Sequence, residues 1–245
     1  MTANLEGLAQ PPETPGDGNG VKRALVIAAH PDDADFGAAG TAYLWTQQGW
    51  EFYYLVCTNG AKGSDDESIT PEELIRMRRE EQRDAAKLLG VKDVFFLDNE
   101  DGELSADRHF LGQVVRKVRE VRPDAVFTHD PEAVIVRDSF VNHTDHRATG
   151  LTAVDAVYPA ARDRLNFPEH IADGLEPHKV SAIYIFGSER ANFDVDITDV
   201  IEKKIDALRA HRSQFEEEFI RNILERWKTP EGRYIESFRR VQMAF

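Results

Sequence analysis

A single cysteine, Cys57, stands among 245 residues. No disulfide can form within the chain, and the paired-cysteine spacing of a closed structural zinc site is missing. Cys57 sits inside an apolar run, where a buried, inert thiol is expected. Long apolar stretches are absent as well: none approaches the ~20 residues that cross a bilayer. Basic residues are scarce, with 30 Lys and Arg against 44 Asp and Glu and a net charge of −14. Counterion release at phosphates needs a basic face, so neither nucleic acid nor an anionic membrane is an expected partner. The first twenty residues lack both a basic start and an apolar segment, so no secretory signal is expected and the cytoplasm is the expected compartment.

What is present is 41 % hydrophobic, enough for one substantial core. Residues 1–20 are rich in proline and glycine and read as a loose arm, leaving 21–245 as the folded domain. Short continuous apolar runs mark strands buried on both faces: Ala24–Ala28, Phe52–Cys57, Val94–Leu97, Ala125–Thr128 and Val180–Phe186, with Phe193–Ile197 as a sixth. Helical patterns lie between them, over 37–48, 71–89, 110–121 and 144–157, then 198–215 continuing through Trp227. Residues 160–178 read as an irregular insertion. Strands alternating with helices predict a single α/β domain, a mainly parallel sheet in a Rossmann-like three-layer αβα sandwich.

In such a sheet, ligands bind beyond the carboxyl ends of the strands. The first strand ends in His30-Pro31-Asp32-Asp33. The fourth ends in Thr128-His129-Asp130 and leads on to His143-Thr144-Asp145-His146. The first turn has no G-x-G-x-x-G phosphate fingerprint, and its two carboxylates would repel a pyrophosphate, so a dinucleotide is rejected. Gly37 and Gly40 are better explained by close packing of a helix on the sheet. His30 and Asp33 can face one point across a turn pinned by Pro31. With either His143 or His146 they complete three protein ligands for zinc, with a position left open. Asp32 is then free to take a proton from water, the second histidine to meet negative charge on a tetrahedral intermediate, and Asp145 to orient an imidazole. Alone, each piece has a plainer reading: a loop histidine, a helix N-cap aspartate, two surface histidines. The convergence of both clusters on one sheet edge favours the metal site.

Ala29-His30-Pro31-Asp32-Asp33, Gly37-Ala38-Ala39-Gly40-Thr41 and His143-Thr144-Asp145-His146 together resemble the LmbE/PIG-L family of zinc-dependent N-deacetylases. Arg78-Arg79-Glu80-Glu81, Leu89-Gly90-Val91, Asp101-Gly102-Glu103-Leu104 and His211-Arg212-Ser213-Gln214 fit the same pattern. The resemblance runs over about residues 22–215. It implies that His30, Asp33 and His146 hold one Zn2+ or another divalent ion per chain, and that Asp32 is the general base. It likewise implies that His143 stabilises or protonates the intermediate and that Asp145 is its carboxylate neighbour. Thr144, where proline is frequent in the family, and Ala39, where glycine is frequent, depart from the pattern. The implied reaction removes an N-acetyl group from a soluble amino-sugar derivative. Hydration of an unsaturated acid, or hydrolysis of a thiol-conjugate amide, is the alternative on the same scaffold. A homotrimer or hexamer is the implied assembly. Arg78, Asp101 and His129 are weaker candidates for substrate contacts; a solvated helix face explains Arg78 about as well. The loops at 60–70, 98–108, 130–142 and 160–178 are expected to choose the substrate.

Overall fold

Apolar runs covered on both faces become parallel strands, since nothing but another layer can bury both sides of each strand. In the computed structural model, which describes residues 20–244, β1 (Arg23–Ala28), β2 (Glu51–Thr58), β3 (Asp93–Asn99) and β4 (Ala125–His129) realise the first four runs. A small hairpin, β5 (Ile135–Val136) and β6 (Phe140–Val141), interrupts the loop after β4. Next come β7 (Ala182–Phe186), β8 (Phe193–Asp196) and β9 (Ile235–Gln242). Seven of these strands form one sheet in the order β3-β2-β1-β4-β7-β9-β8. Strands β3, β2, β1, β4 and β7 pair in parallel, and β9 is antiparallel to both its neighbours. The arm expected at 1–20 lies, but for Gly20, outside the described residues.

Strand alternation sorts the core into two layers. Ala24, Val26, Ala28, Phe52, Tyr54 and Val56 face a core shared with α1 (Asp33–Thr46) and α6 (Ile201–Ala210). Leu25, Ile27, Leu55 and Cys57 face the other, under α3 (Arg108–Val121) and the helical turn that extends α4 (Thr144–Asp155). Cys57 is fully buried, and burial pushes its thiol well up, as expected of an inert side chain. Helix α2 (Pro71–Leu88) starts on a full capping box, Thr70 with Glu73. Short α5 (Pro168–Ala172) and α7 (Glu217–Trp227) complete the set.

Three local findings differ from the sequence expectation. Helix α1 begins at Asp33 rather than near Gly37, because two acidic residues, Asp33 and Asp35, occupy its first turn. The region after Trp227 supplies β9, which no apolar run announces. Residues 160–178, expected to be irregular, contain α5 and are gathered by one side chain: Arg119 donates to the carbonyls of Ala160, Ala161, Asp163, Asn166 and Phe167.

Gly37 and Gly40 do serve close packing. A Cβ at Gly37 would lie 2.8 Å from the Phe186 ring, and one at Gly40 2.6 Å from Ile197. Gly150 is tighter still, since its Cβ would meet the His129 carbonyl oxygen at 2.4 Å and the Pro131 nitrogen at 3.0 Å. Backbone cannot swing aside as a side chain can. Gly150→Ala should therefore push α4 off the end of β4 and cost roughly 1–3 kcal/mol in urea denaturation. An unchanged denaturation midpoint would show that the contact relaxes freely.

Candidate active site

The order β3-β2-β1-β4 reverses direction between β1 and β4, so the loops leaving those two strands part and open a crevice. His30-Pro31-Asp32-Asp33 leaves β1 on one side of it, and His129 ends β4 on the other. The two ends are tied together: the Ala29 N–H donates to His129 Nε2 at 3.1 Å. His143 caps α4 and delivers Asp145 and His146 in its first turn.

Asp33 is the hub. One of its oxygens lies 2.7 Å from the His30 backbone nitrogen and 3.2 Å from His30 Nδ1; the other lies 3.2 Å from His146 Nε2. Burial alone would raise the Asp33 carboxyl, but the neighbouring His146 and His129 rings outweigh it and hold the carboxyl well below the usual range. His146 is aimed by its other nitrogen, 3.0 Å from Asn142 Oδ1, and by stacking on His129 at 4.2 Å between centroids. A histidine whose second nitrogen is fixed in this way presents the first as a donor atom of set direction. Among the described residues, ligand atoms of His30, His143 and His146 gather within 4.8 Å of one another, as do those of Asp33, His129 and His146. A third such group holds His30, Asp101, His143 and Asp145.

His30 sits among three carboxylates. Its Nε2 lies 3.1 Å from Asp145 and 3.2 Å from Asp101, while Nδ1 faces Asp33. Burial opposes a charge on the ring, yet these three carboxylates prevail and push His30 up to about 12. The donor set is one that a cation suits: with Asp145 holding Nε2, Nδ1 and the Asp33 oxygens are left for a metal ion. Asp145 thus lies on His30. Its oxygens are 3.1 Å from His30 Nε2 and 3.9 Å from His143 Nδ1, and they accept the N–H groups of Gly102 and Leu104.

Asp32 flanks the cluster in a strained turn, with φ 104° and ψ −35°, a region that costs a non-glycine residue about 1–3 kcal/mol. Burial and the adjacent Asp33 charge push its carboxyl up to about 6 against the pull of Arg78. His143, 4.7 Å from His30 between ring centroids, is nearly half exposed. Its Nδ1 accepts the Asp145 N–H, so the neutral ring carries its proton on Nε2. Burial and the His30 charge both lower its pKa and favour that neutral form.

The weaker sequence candidates occupy definite places. Arg78 is only 4 % exposed and does not lie on a solvated helix face. Its guanidinium donates to the carbonyls of Gly60 and Pro31 and to the Asp32 carboxylate at 3.1 Å. His129 is buried behind Asp33 and His146, and burial with the His146 charge lowers it to about 4, which keeps it a neutral acceptor for Ala29. Asp101 is buried beside His30 and also takes the Lys62 N–H. Two amides went unnoticed in the sequence, Asn142 behind His146 and Gln82 behind Asp32. Asn142 could have been found by its i,i+4 spacing to His146 across the helix start; Gln82 carries no local signal.

The family model for GlcNAc-PI de-N-acetylases, PIG-L, matches residues 25–157. A diacetylchitobiose deacetylase from Thermococcus kodakarensis is 36 % identical, over 86 % of this chain and 75 % of its own length. A probable N-acetyl-alpha-D-glucosaminyl L-malate deacetylase from Bacillus cereus is 30 % identical, over 80 % of this chain and 84 % of its own. The crystal structure of N,N'-diacetylchitobiose deacetylase from Pyrococcus horikoshii, in complex with an inhibitor, superposes with a TM-score of 0.81 at 34 % identity, covering 90 % of this chain and 84 % of that one.

Proposed function

Given that the chain belongs to the PIG-L family of de-N-acetylases, and is therefore a hydrolase of N-acetyl amide bonds, we propose that it deacetylates a small N-acetylglucosamine derivative of the diacetylchitobiose kind. The observation that carries this reading is the joining of His30 and His146 through Asp33, with Asp32 next to Asp33 in the chain and His143 4.7 Å from His30 between ring centroids. In this reading His30, Asp33 and His146 hold a divalent ion, zinc, which supplies the Lewis acidity that polarises an amide carbonyl and acidifies water. Asp32 takes the proton of the attacking water as its oxygen bonds to the carbonyl carbon. A carboxyl raised to about 6 suits that task near neutral pH. The Nε2–H of His143 donates to the oxygen on which negative charge collects. The C–N bond then breaks, the amine takes up a proton, and acetate remains. In this reading Asp101, beside His30, accepts a hydrogen bond from a sugar hydroxyl.

The test is release of primary amine from a panel of N-acetyl sugars, with an unsaturated dicarboxylic acid and a thiol-conjugate amide as controls. Amine from diacetylchitobiose or a related glucosamine derivative is expected; hydration of the acid with no amine from any sugar would overturn the reading. His146→Ala should at the same time lose the metal, and retained stoichiometric zinc would remove His146 from the ligand set. Among the described residues no helix is long and apolar enough to cross a membrane.

A further inference from the structure

The turn that carries Asp32 is held from behind by a buried chain of side chains that touches neither substrate nor ligand atoms. The Asp32 N–H donates to Gln82 Oε1 at 2.8 Å, Gln82 Nε2 donates to Asp35 Oδ2 at 2.7 Å, and His211 Nε2 lies 2.8 Å from the same oxygen. Gln82, Asp35 and His211 are all fully buried. The order of donors along the chain is fixed by chemistry. A carboxylate can only accept, so the NH2 end of Gln82 must face Asp35, and its oxygen must face Asp32. Flipping the amide would set its NH2 against the Asp32 N–H and its oxygen against the Asp35 carboxylate, two repulsions in a dry interior.

Helix α2 brings Gln82 and Arg78 to the turn together, four residues apart on one face. Arg78 grips the Pro31 carbonyl and the Asp32 carboxylate; Gln82 grips the Asp32 N–H. The Pro31 carbonyl and the Asp32 N–H are the two ends of one rigid peptide plane, so Arg78 and Gln82 fix that plane between them. Together they hold residue 32 at φ 104°, against a cost of about 1–3 kcal/mol. His211 is the far anchor. Glu81 takes both the N–H and the hydroxyl of Ser213, which pins the His211–Gln214 corner to the same helix.

We propose that Gln82 is a positioning residue for the reaction: locked by Asp35 and His211, its side-chain oxygen holds the strained Asp32 turn in the geometry that aims the carboxylate at the substrate water. The inference rests on the deacetylase reading for its kinetic test but not for its structural one. A displacement of about 1 Å in a reacting group can cost on the order of 100-fold. Gln82→Leu should thus lower kcat about 10- to 100-fold, with KM within twofold of wild type and metal stoichiometry unchanged. In an Asp32→Asn background the same change should have no further effect, because the carboxylate it positions is already gone. Wild-type kcat in Gln82→Leu, or an equal loss in both backgrounds, would overturn the proposal; the latter is what general loosening of the fold would produce. A crystal structure of Gln82→Leu gives the second readout. Residue 32 is expected to leave the φ 104° conformation, and its retention there would overturn the proposal whatever the enzyme hydrolyses. Failure of the wild-type protein to release amine from any sugar would instead count against the deacetylase reading.

Discussion

Asp32→Asn should lower turnover by roughly 10²- to 10⁴-fold while the metal stays bound. Asparagine matches aspartate in size and still offers Arg78 an oxygen, so the turn and the Arg78 contact survive. What it cannot do is accept a proton. The loss corresponds to about 3–5 kcal/mol of transition-state stabilisation, the amount usually assigned to one general base. Steady-state amine release beside metal analysis of the same sample decides the matter. Turnover within tenfold of wild type would take the base role away from Asp32, and loss of metal would assign it to the ligand set.

The largest stability effect is expected far from the motifs. Lys204 and Glu236 form an ion pair at 2.7 Å, with each side chain only 4 % exposed. Lys204 also donates to the Phe36 carbonyl, and Glu236 accepts from the Gly40 and Thr41 N–H groups and the Thr41 hydroxyl. Every polar atom of the pair is therefore engaged with α1, the helix that starts at Asp33. Glu236→Ala strips these contacts and strands an ammonium group in the core, at a cost of about 3–5 kcal/mol. For a chain of this size that lowers Tm by roughly 10 °C. Replacing both partners, as in Lys204→Met with Glu236→Leu, should cost much less than the two single changes added together, since neither charge is then left unpaired. A Tm shift in Glu236→Ala of under 2 °C would mean that water enters and solvates Lys204.

This ion pair also explains which parts of the fold could be read from the sequence. Strands β1, β2, β4 and β7 carry unbroken apolar runs because both faces are covered, and they stand out. Strand β9 holds Glu236, Arg239 and Arg240 among its eight residues, a composition that reads as surface. Its buried acid is tolerated only because Lys204 arrives from α6, and pairing across 32 positions leaves no local trace. The start of α1 was obscured in the same way. Asp35 belongs to a turn by composition, yet it is fully buried, with Gln82 and His211 both meeting its Oδ2.

The site was legible to the extent that it is made of charged motif residues at strand ends. His30 and His146 both meet Asp33, and His143 lies 4.7 Å from His30 between ring centroids. The second layer was not legible. Which imidazole Asp145 serves depends on how α4 meets the 101–104 loop, and the sequence pattern suggested His143 where the structure favours His30. Arg78 looked like one arginine among several on a solvated helix. Only the packing of α2 against the 31–32 turn distinguishes it from Arg76, Arg79 and Arg83.

The cap at the start of α4 limits what His143 can contribute. Its Nδ1 is occupied by the Asp145 N–H, so the ring owns a single transferable hydrogen, and surrendering it would leave an imidazolate. His143 is thereby confined to donating a hydrogen bond that it keeps. In the proposed reaction the proton that the departing nitrogen needs would come from the group that removed one from water at the outset. Asp32 would then work as a shuttle, loaded from the attacking water in the first half of the cycle and emptied onto the amine in the second, so that each turnover returns it to its starting charge.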